Sequence, residues 1–169
     1  MSYKKIAIED INLNPFTTIG KDWLLISAKN GDRVNTMTAS WGGLGVIWNK
    51  NVATVYIRPQ RYTREFVDQN DYFTITCFKG YKKELGVLGS KSGRDGDKIA
   101  EVKFDLEMVD DQPTFKQGTM CLVCKKLYRG KIEPDSFIDS SLEQKNYPAK
   151  DYHYLYIGEI EAVYVNEKD

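Results

Sequence analysis

Apolar residues in this chain recur at every second position, and that spacing commits it to β-strands. From Val102 to Val109, the residues Val102, Phe104, Leu106 and Met108 share one face, with Lys103, Asp105 and Glu107 on the other. Such alternation predicts a half-buried strand. Trp23–Ser27, Val52–Arg58, Tyr72–Phe78, Thr119–Leu127 and Tyr154–Val165 are likewise rich in β-branched and aromatic residues. Six or seven strands therefore dominate. Helical signals are short. Thr63 can cap a helix running to Gln69, with Glu65 well placed for the helix dipole. Tyr81–Leu88 and Ser136–Gln144 are weaker candidates. A doubly wound sheet needs long helices alternating with its strands, so an antiparallel barrel or sandwich is expected.

The chain has 169 residues, a length that suits one domain with a sizeable core spanning 1–169. Lys and Arg number 24 against 24 Asp and Glu, which argues against a general nucleic-acid or membrane-surface binder. Glu9 and Asp10 arrive before any signal-like apolar core develops, and the apolar run Gly42 to Trp48 is too short to span a bilayer. Three cysteines imply no disulfide framework. A soluble, reduced, cytoplasmic protein is expected.

Three segments carry chemistry. In Val55-Tyr56-Ile57-Arg58-Pro59-Gln60-Arg61-Tyr62-Thr63, Pro59 ends a strand ladder and two guanidiniums and a hydroxyl stand at a helix start. Free N–H groups and arginine donors there suit a phosphate, or leave two solvated arginines at a strand end. Asn35-Thr36-Met37-Thr38-Ala39-Ser40-Trp41-Gly42-Gly43 sets amide and hydroxyl groups beside small residues, which lets a ligand approach the backbone. The plainer reading of these residues by themselves is a strand with alternating Thr and Met running into a Gly-rich turn. Gly86 through Lys98 reads as a mobile surface loop or a lid, without the spacing of a P-loop.

His153 is the one histidine, so no His-rich metal site is expected. It can donate a hydrogen bond or a proton near a ligand, or serve as a half-buried strand residue. Cys121 and Cys124, three apart on a strand, point to opposite faces and suit neither a metal nor a redox disulfide. Cys77 reads as a core residue. No Gly-x-Ser-x-Gly and no Gly-x-Gly-x-x-Gly occurs, which disfavours a hydrolase elbow and a Rossmann site.

Taken in order, the segments resemble the flavin reductase-like family of FMN-binding split barrels. The resemblance rests on Asn35-x-Met37-Thr38-Ala39-Ser40-Trp41, Tyr56-Ile57-Arg58-Pro59-x-Arg61-Tyr62-Thr63 and Tyr72–Thr76. Ser90-x-Ser92-Gly93-Arg94-Asp95-x-Asp97-Lys98 and Asp151-x-His153-x-x-Tyr156-Ile157-Gly158-Glu159 follow in the family's order. The resemblance implies a mainly β, six-stranded antiparallel Greek-key split barrel with short peripheral helices, a homodimer, and one FMN per subunit.

It also implies roles. Met37, Thr38, Ala39, Ser40 and Trp41 would run along the isoalloxazine ring, with Asn35 in the same motif. Arg58, Arg61, Tyr62 and Thr63 would surround the ribityl phosphate. Ser90, Ser92 and Lys98 would border the ring from their loop. His153 would lie by the open flavin face, and Cys77 is a thiol that could stand beside a flavin. The implied reaction is hydride transfer from NADH or NADPH to flavin N5, with electrons passed onward. His153 and Lys98 are then candidates for tuning the flavin or binding the donor. The alternatives are a flavoredoxin-like electron carrier reduced by a redox partner protein, and a small-ligand barrel without redox activity.

Overall fold

The computed structural model describes residues 2–167. Its strands are β1 (Tyr3–Ile6), β2 (Leu24–Asn30), β3 (Arg33–Ala39), β4 (Gly42–Ile47), β5 (Lys50–Ile57), β6 (Tyr72–Cys77), β7 (Leu106–Val109), β8 (Gln112–Phe115), β9 (Met120–Lys131) and β10 (Tyr154–Asn166). The helices are a single turn α1 (Pro15–Thr17), then α2 (Tyr62–Gln69), α3 (Lys82–Ser90), α4 (Lys98–Glu101) and α5 (Ser140–Asn146).

Eight strands form one antiparallel sheet in the order β3-β2-β6-β9-β10-β5-β4, with β1 added to β10. Its edges, β3 and β4, do not pair. Yet β3 ends at Ala39 and β4 begins at Gly42, so Ser40 and Trp41 alone join the two edges. A sheet whose opposite edges must meet within two residues has to curl round, and it closes as a barrel split between β3 and β4. The interior holds Leu24, Ile26, Met37, Val55, Ile57, Phe73, Leu122 and Tyr156, with Phe66 and Val67 of α2 plugging it. The class is as expected; the sheet has two more strands than the six expected.

Two-residue turns set the hairpin registers. Trp48-Asn49 between β4 and β5, and Asp110-Asp111 between β7 and β8, all have positive φ, as the preferred hairpin turns demand. The second turn overturns one expectation. Val102 caps α4, Phe104 packs under α3, and only Leu106–Val109 is a strand. Leu106 and Met108 are exposed and Val109 is buried, the reverse of the expected face. The cause is tertiary: β8 is fastened to the barrel by Thr74 Oγ1 donating to Pro113 O and by the Thr76–Thr114 hydroxyl pair. The hairpin partner inherits its facing from that attachment.

Gly158 lies where β10 bulges against β9. A Cβ there would stand 2.8 Å from the Phe73 ring and 3.0 Å from Cys124 Cβ, both fully buried. Gly158→Ala is therefore expected to destabilise the fold by about 1–3 kcal/mol through overpacking. A lower denaturation midpoint at unchanged slope is the check; an unchanged midpoint would mean the ring yields freely.

The cysteines behave as their spacing predicts. Cys124 and Cys77 join the barrel interior, and Cys121 packs on the outer cluster with Val109, Val123 and Ala162. Burial pushes the Cys77 and Cys121 thiols up to about 12, so neither is a thiolate at neutral pH.

Candidate functional site

The seam between β3 and β4 opens into a cavity of about 240 Å³ lined by Met37, Thr38, Ala39, Ser40, Trp41, Tyr56, Arg58, Arg61 and His153. The segments 35–43 and 55–63 supply eight of these nine, Tyr56 among them, and His153 is the ninth. The seam accounts for their meeting. Residues 37–41 end one edge strand and turn into the other, while β5, next to that edge, delivers Tyr56 and Arg58.

Arg58 follows the last strand residue, and Pro59 stops further pairing. Its guanidinium meets Asp151 Oδ1 at 2.9 Å and donates to Asn146 O at 3.1 Å, which pins the segment leading to His153. Gln60 Nε2 donates to the other Asp151 oxygen at 2.8 Å, and this bond, with Arg58, holds the carboxyl below its ordinary range. Arg61 differs. Its Nη1 donates to Gly89 O at 2.6 Å, and among the described residues no carboxylate pairs with it. Burial and the neighbouring Arg58 both act to lower its pKa, the signature of a cation held without a counter-charge.

Lys98 is buried and donates to Leu88 O at 2.8 Å and Lys91 O at 2.9 Å, capping the carbonyl end of α3. Burial, then Arg61, brings its pKa down to about 8. Arg61 and Lys98 thus hold the same helix end and add positive charge behind the cavity.

The remaining sequence candidates lie outside this cavity. Asn35, Tyr62 and Lys98 line a neighbouring one of about 440 Å³ with Arg33, Phe66 and Gly93. Ser90, Ser92 and Lys98 line a third, of about 470 Å³. Thr63 is not the cap expected of it: Arg61 holds the cap position of α2, and buried Thr63 accepts from Asn35 Nδ2 at 2.8 Å. A buried Asn needs a partner, and Thr63 in the first helical turn is the nearest one. Thr38 donates its hydroxyl to Leu85 O at 2.5 Å. The expected loop is shorter than it reads, since Gly86 through Ser90 continue α3.

Beyond Ser40, Trp41 and Tyr56 the cavity runs into a larger apolar one of about 540 Å³, lined also by Pro15, Phe16, Ile19, Leu44, Ile132 and Tyr147. The pair forms one amphiphilic groove, cationic at one end and aromatic at the other. Neither α1 nor Tyr147 was legible as part of it.

His153 is buried at the junction. Trp41 tilts against its ring at 5.3 Å, and Tyr147 OH lies 2.7 Å from Nδ1. Burial first, then Arg58, lowers its pKa to about 4, so the imidazole is neutral near pH 7.

No protein-family model matches the sequence, and no curated protein matches it. Solved structures do. An FMN-binding domain of a flavin reductase-like enzyme from Shewanella baltica aligns over 98% of this chain and 78% of its own, at 21% identity and a TM-score of 0.69. A flavoredoxin from Methanosarcina acetivorans aligns over 94% and 76%, at 23% identity and a TM-score of 0.66. An FMN-binding protein from Thermus thermophilus aligns over 96% and 80%, at 19% identity and a TM-score of 0.65. The chain therefore has the split-barrel fold of the flavin reductase-like and flavoredoxin proteins. At such identities the likeness is one of fold.

Proposed function

We propose that this chain is an FMN-binding oxidoreductase of the flavin reductase type, taking hydride from NADH or NADPH and passing electrons on. The observation that carries the reading is the amphiphilic groove. Arg61, half-buried and without a counter-anion among the described residues, suits a phosphate, and the aromatic end suits a flat ring system. The donor set fits FMN, which has a dianionic phosphate, a polar ribityl chain and a planar ring.

In this reading Arg61, with Arg58 beside it, holds the phosphate. The segment Met37–Trp41 offers backbone groups and the Ser40 hydroxyl along the ring. Bound FMN would supply the hydride and electron chemistry; the protein supplies position and electric field. Neutral His153 contributes a hydrogen bond without adding charge. Asn35, Thr63 and Lys98 support the wall of the site, because their polar atoms are engaged in holding β3, α2 and α3. A homodimer belongs to the proposal: β4 is an edge of the sheet, and Val46, Ile47 and Trp48 on and beside it are exposed, an edge that a second copy would cover. Nucleic acid and membrane have no part in it, and a cytoplasmic location fits its reduced cysteines. Among the described residues no helix is long and apolar enough to cross a membrane.

The test is an anaerobic visible spectrum of the FMN-loaded protein, before and after NADH and then NADPH. Bleaching within seconds is expected with one of the two. Bands that persist with both would replace the reductase by a carrier reduced by a protein partner. Failure to take up FMN would sink both readings.

A further inference from the structure

The histidine of the groove is joined to a tyrosine that no sequence motif singles out. Tyr147 ends α5 and is buried. Its hydroxyl lies 2.7 Å from His153 Nδ1, and the two rings meet nearly edge-on at 5.5 Å. Among the described residues Nε2 has no protein partner, although His153 lines the cavity that Arg58 and Arg61 share.

The proton on this bond can be assigned from its surroundings. Among the described residues, His153 Nδ1 is the one side-chain hydrogen-bond partner of the buried Tyr147 hydroxyl. Burial raises the Tyr147 pKa, partly offset by the Arg58 guanidinium 5.1 Å from the centre of its ring, so the phenol keeps its proton at neutral pH. The hydroxyl has Nδ1 as its acceptor. If Nδ1 carried the proton instead, a buried phenol hydrogen would be left unpaired. Burial and Arg58 keep the ring from taking a second proton at neutral pH.

We propose that Tyr147 donates to His153 Nδ1 and so fixes the imidazole as its neutral Nε2–H tautomer, a hydrogen-bond donor offered to the ligand that Arg58 and Arg61 hold. Tyr147 is then a positioning residue acting through His153. The ligand half of this inference rests on the FMN reading; the tautomer half does not.

Because the chain has one histidine, its two ring nitrogens can be read directly by long-range proton–nitrogen NMR on the labelled full-length protein, without flavin and then with FMN. The expected pattern without flavin is a pyridine-type Nδ1 and a pyrrole-type Nε2. Tyr147→Phe, which keeps the ring, is expected to move both nitrogens toward the average of the two tautomers. His153→Ala is expected to weaken FMN by roughly three- to tenfold, the range of one neutral hydrogen bond. His153→Gln should restore affinity, because its amide nitrogen can stand where Nε2 stood, whereas His153→Asn should not.

A pyrrole-type Nδ1 in the wild type, or shifts untouched by Tyr147→Phe, would overturn the tautomer assignment. Equal affinities for the Gln, Asn and Ala variants would overturn the donor role. Should the wild type have the expected tautomer and bind no FMN, the FMN reading and the donor role to it fall while the tautomer assignment stands.

Discussion

Replacing Arg61 with Ala is expected to weaken FMN binding by roughly ten- to a hundredfold and to leave riboflavin nearly unchanged. The size follows from losing one charge-assisted hydrogen bond, about 1.5–3 kcal/mol. The selectivity follows from geometry. Arg61 has no carboxylate partner among the described residues, so its charge is available to a ligand, and only FMN carries the phosphate to use it. Arg58 would be a poorer choice for the test. Its guanidinium is engaged by Asp151, by Asn146 O and over the Tyr147 ring, so removing it would also release the segment that carries His153. Losing Arg61 should leave that segment in place and free one carbonyl, Gly89 O, at the helix end that Lys98 also caps. Fluorescence titrations of the two flavins against wild type and variant give the comparison. Equal weakening of FMN and riboflavin would remove Arg61 from the phosphate.

How much of this was legible in the sequence depends on the range of the interaction. The strands at Trp23–Ser27, Val52–Arg58, Tyr72–Phe78, Thr119–Leu127 and Tyr154–Val165 all form, because half-buried strands advertise themselves by composition and alternation. The opposed cysteines on β9 follow from the same period. The segment Val102–Val109 misled because its facing is set by β8 and two threonine contacts far away in sequence. The candidate site divides in the same way. Met37 through Trp41, Arg58, Arg61 and His153 converge, since a strand edge, a strand end and a helix start are local signals. Thr63 looked like a cap because its neighbours fit one, but buried Asn35, brought up by β3, takes its hydroxyl as acceptor. Tyr147 and the turn at Pro15 join the groove only through the curl of the sheet, which no short window of sequence contains.

His153 also gives the fold a sensitivity to acid that one substitution can isolate. Its pKa falls from an ordinary 6.5 to about 4, through burial first and Arg58 second. Between those values the unfolded chain binds a proton that the folded chain refuses. Stability is therefore full above pH 6.5, declines as pH falls toward 4, and loses nothing more from this group below that. The full loss is about 3 kcal/mol at one tenfold factor per pH unit, a large share of the stability of a domain this size. Carboxylates with lowered pKa, such as Asp151, lose their stabilisation at lower pH still, so the total acid curve mixes several groups. The difference between wild type and His153→Gln separates them, because glutamine does not titrate and no other histidine exists. Denaturant unfolding of both proteins at half-unit steps from pH 7.5 to 4 is the measurement. The curves should run parallel above about pH 6.5, and the wild type should lose stability faster between pH 6.5 and 4. Curves that stay parallel through that lower range would mean that the folded imidazole accepts its proton as readily as the unfolded one, so that neither burial nor Arg58 holds it neutral in the groove.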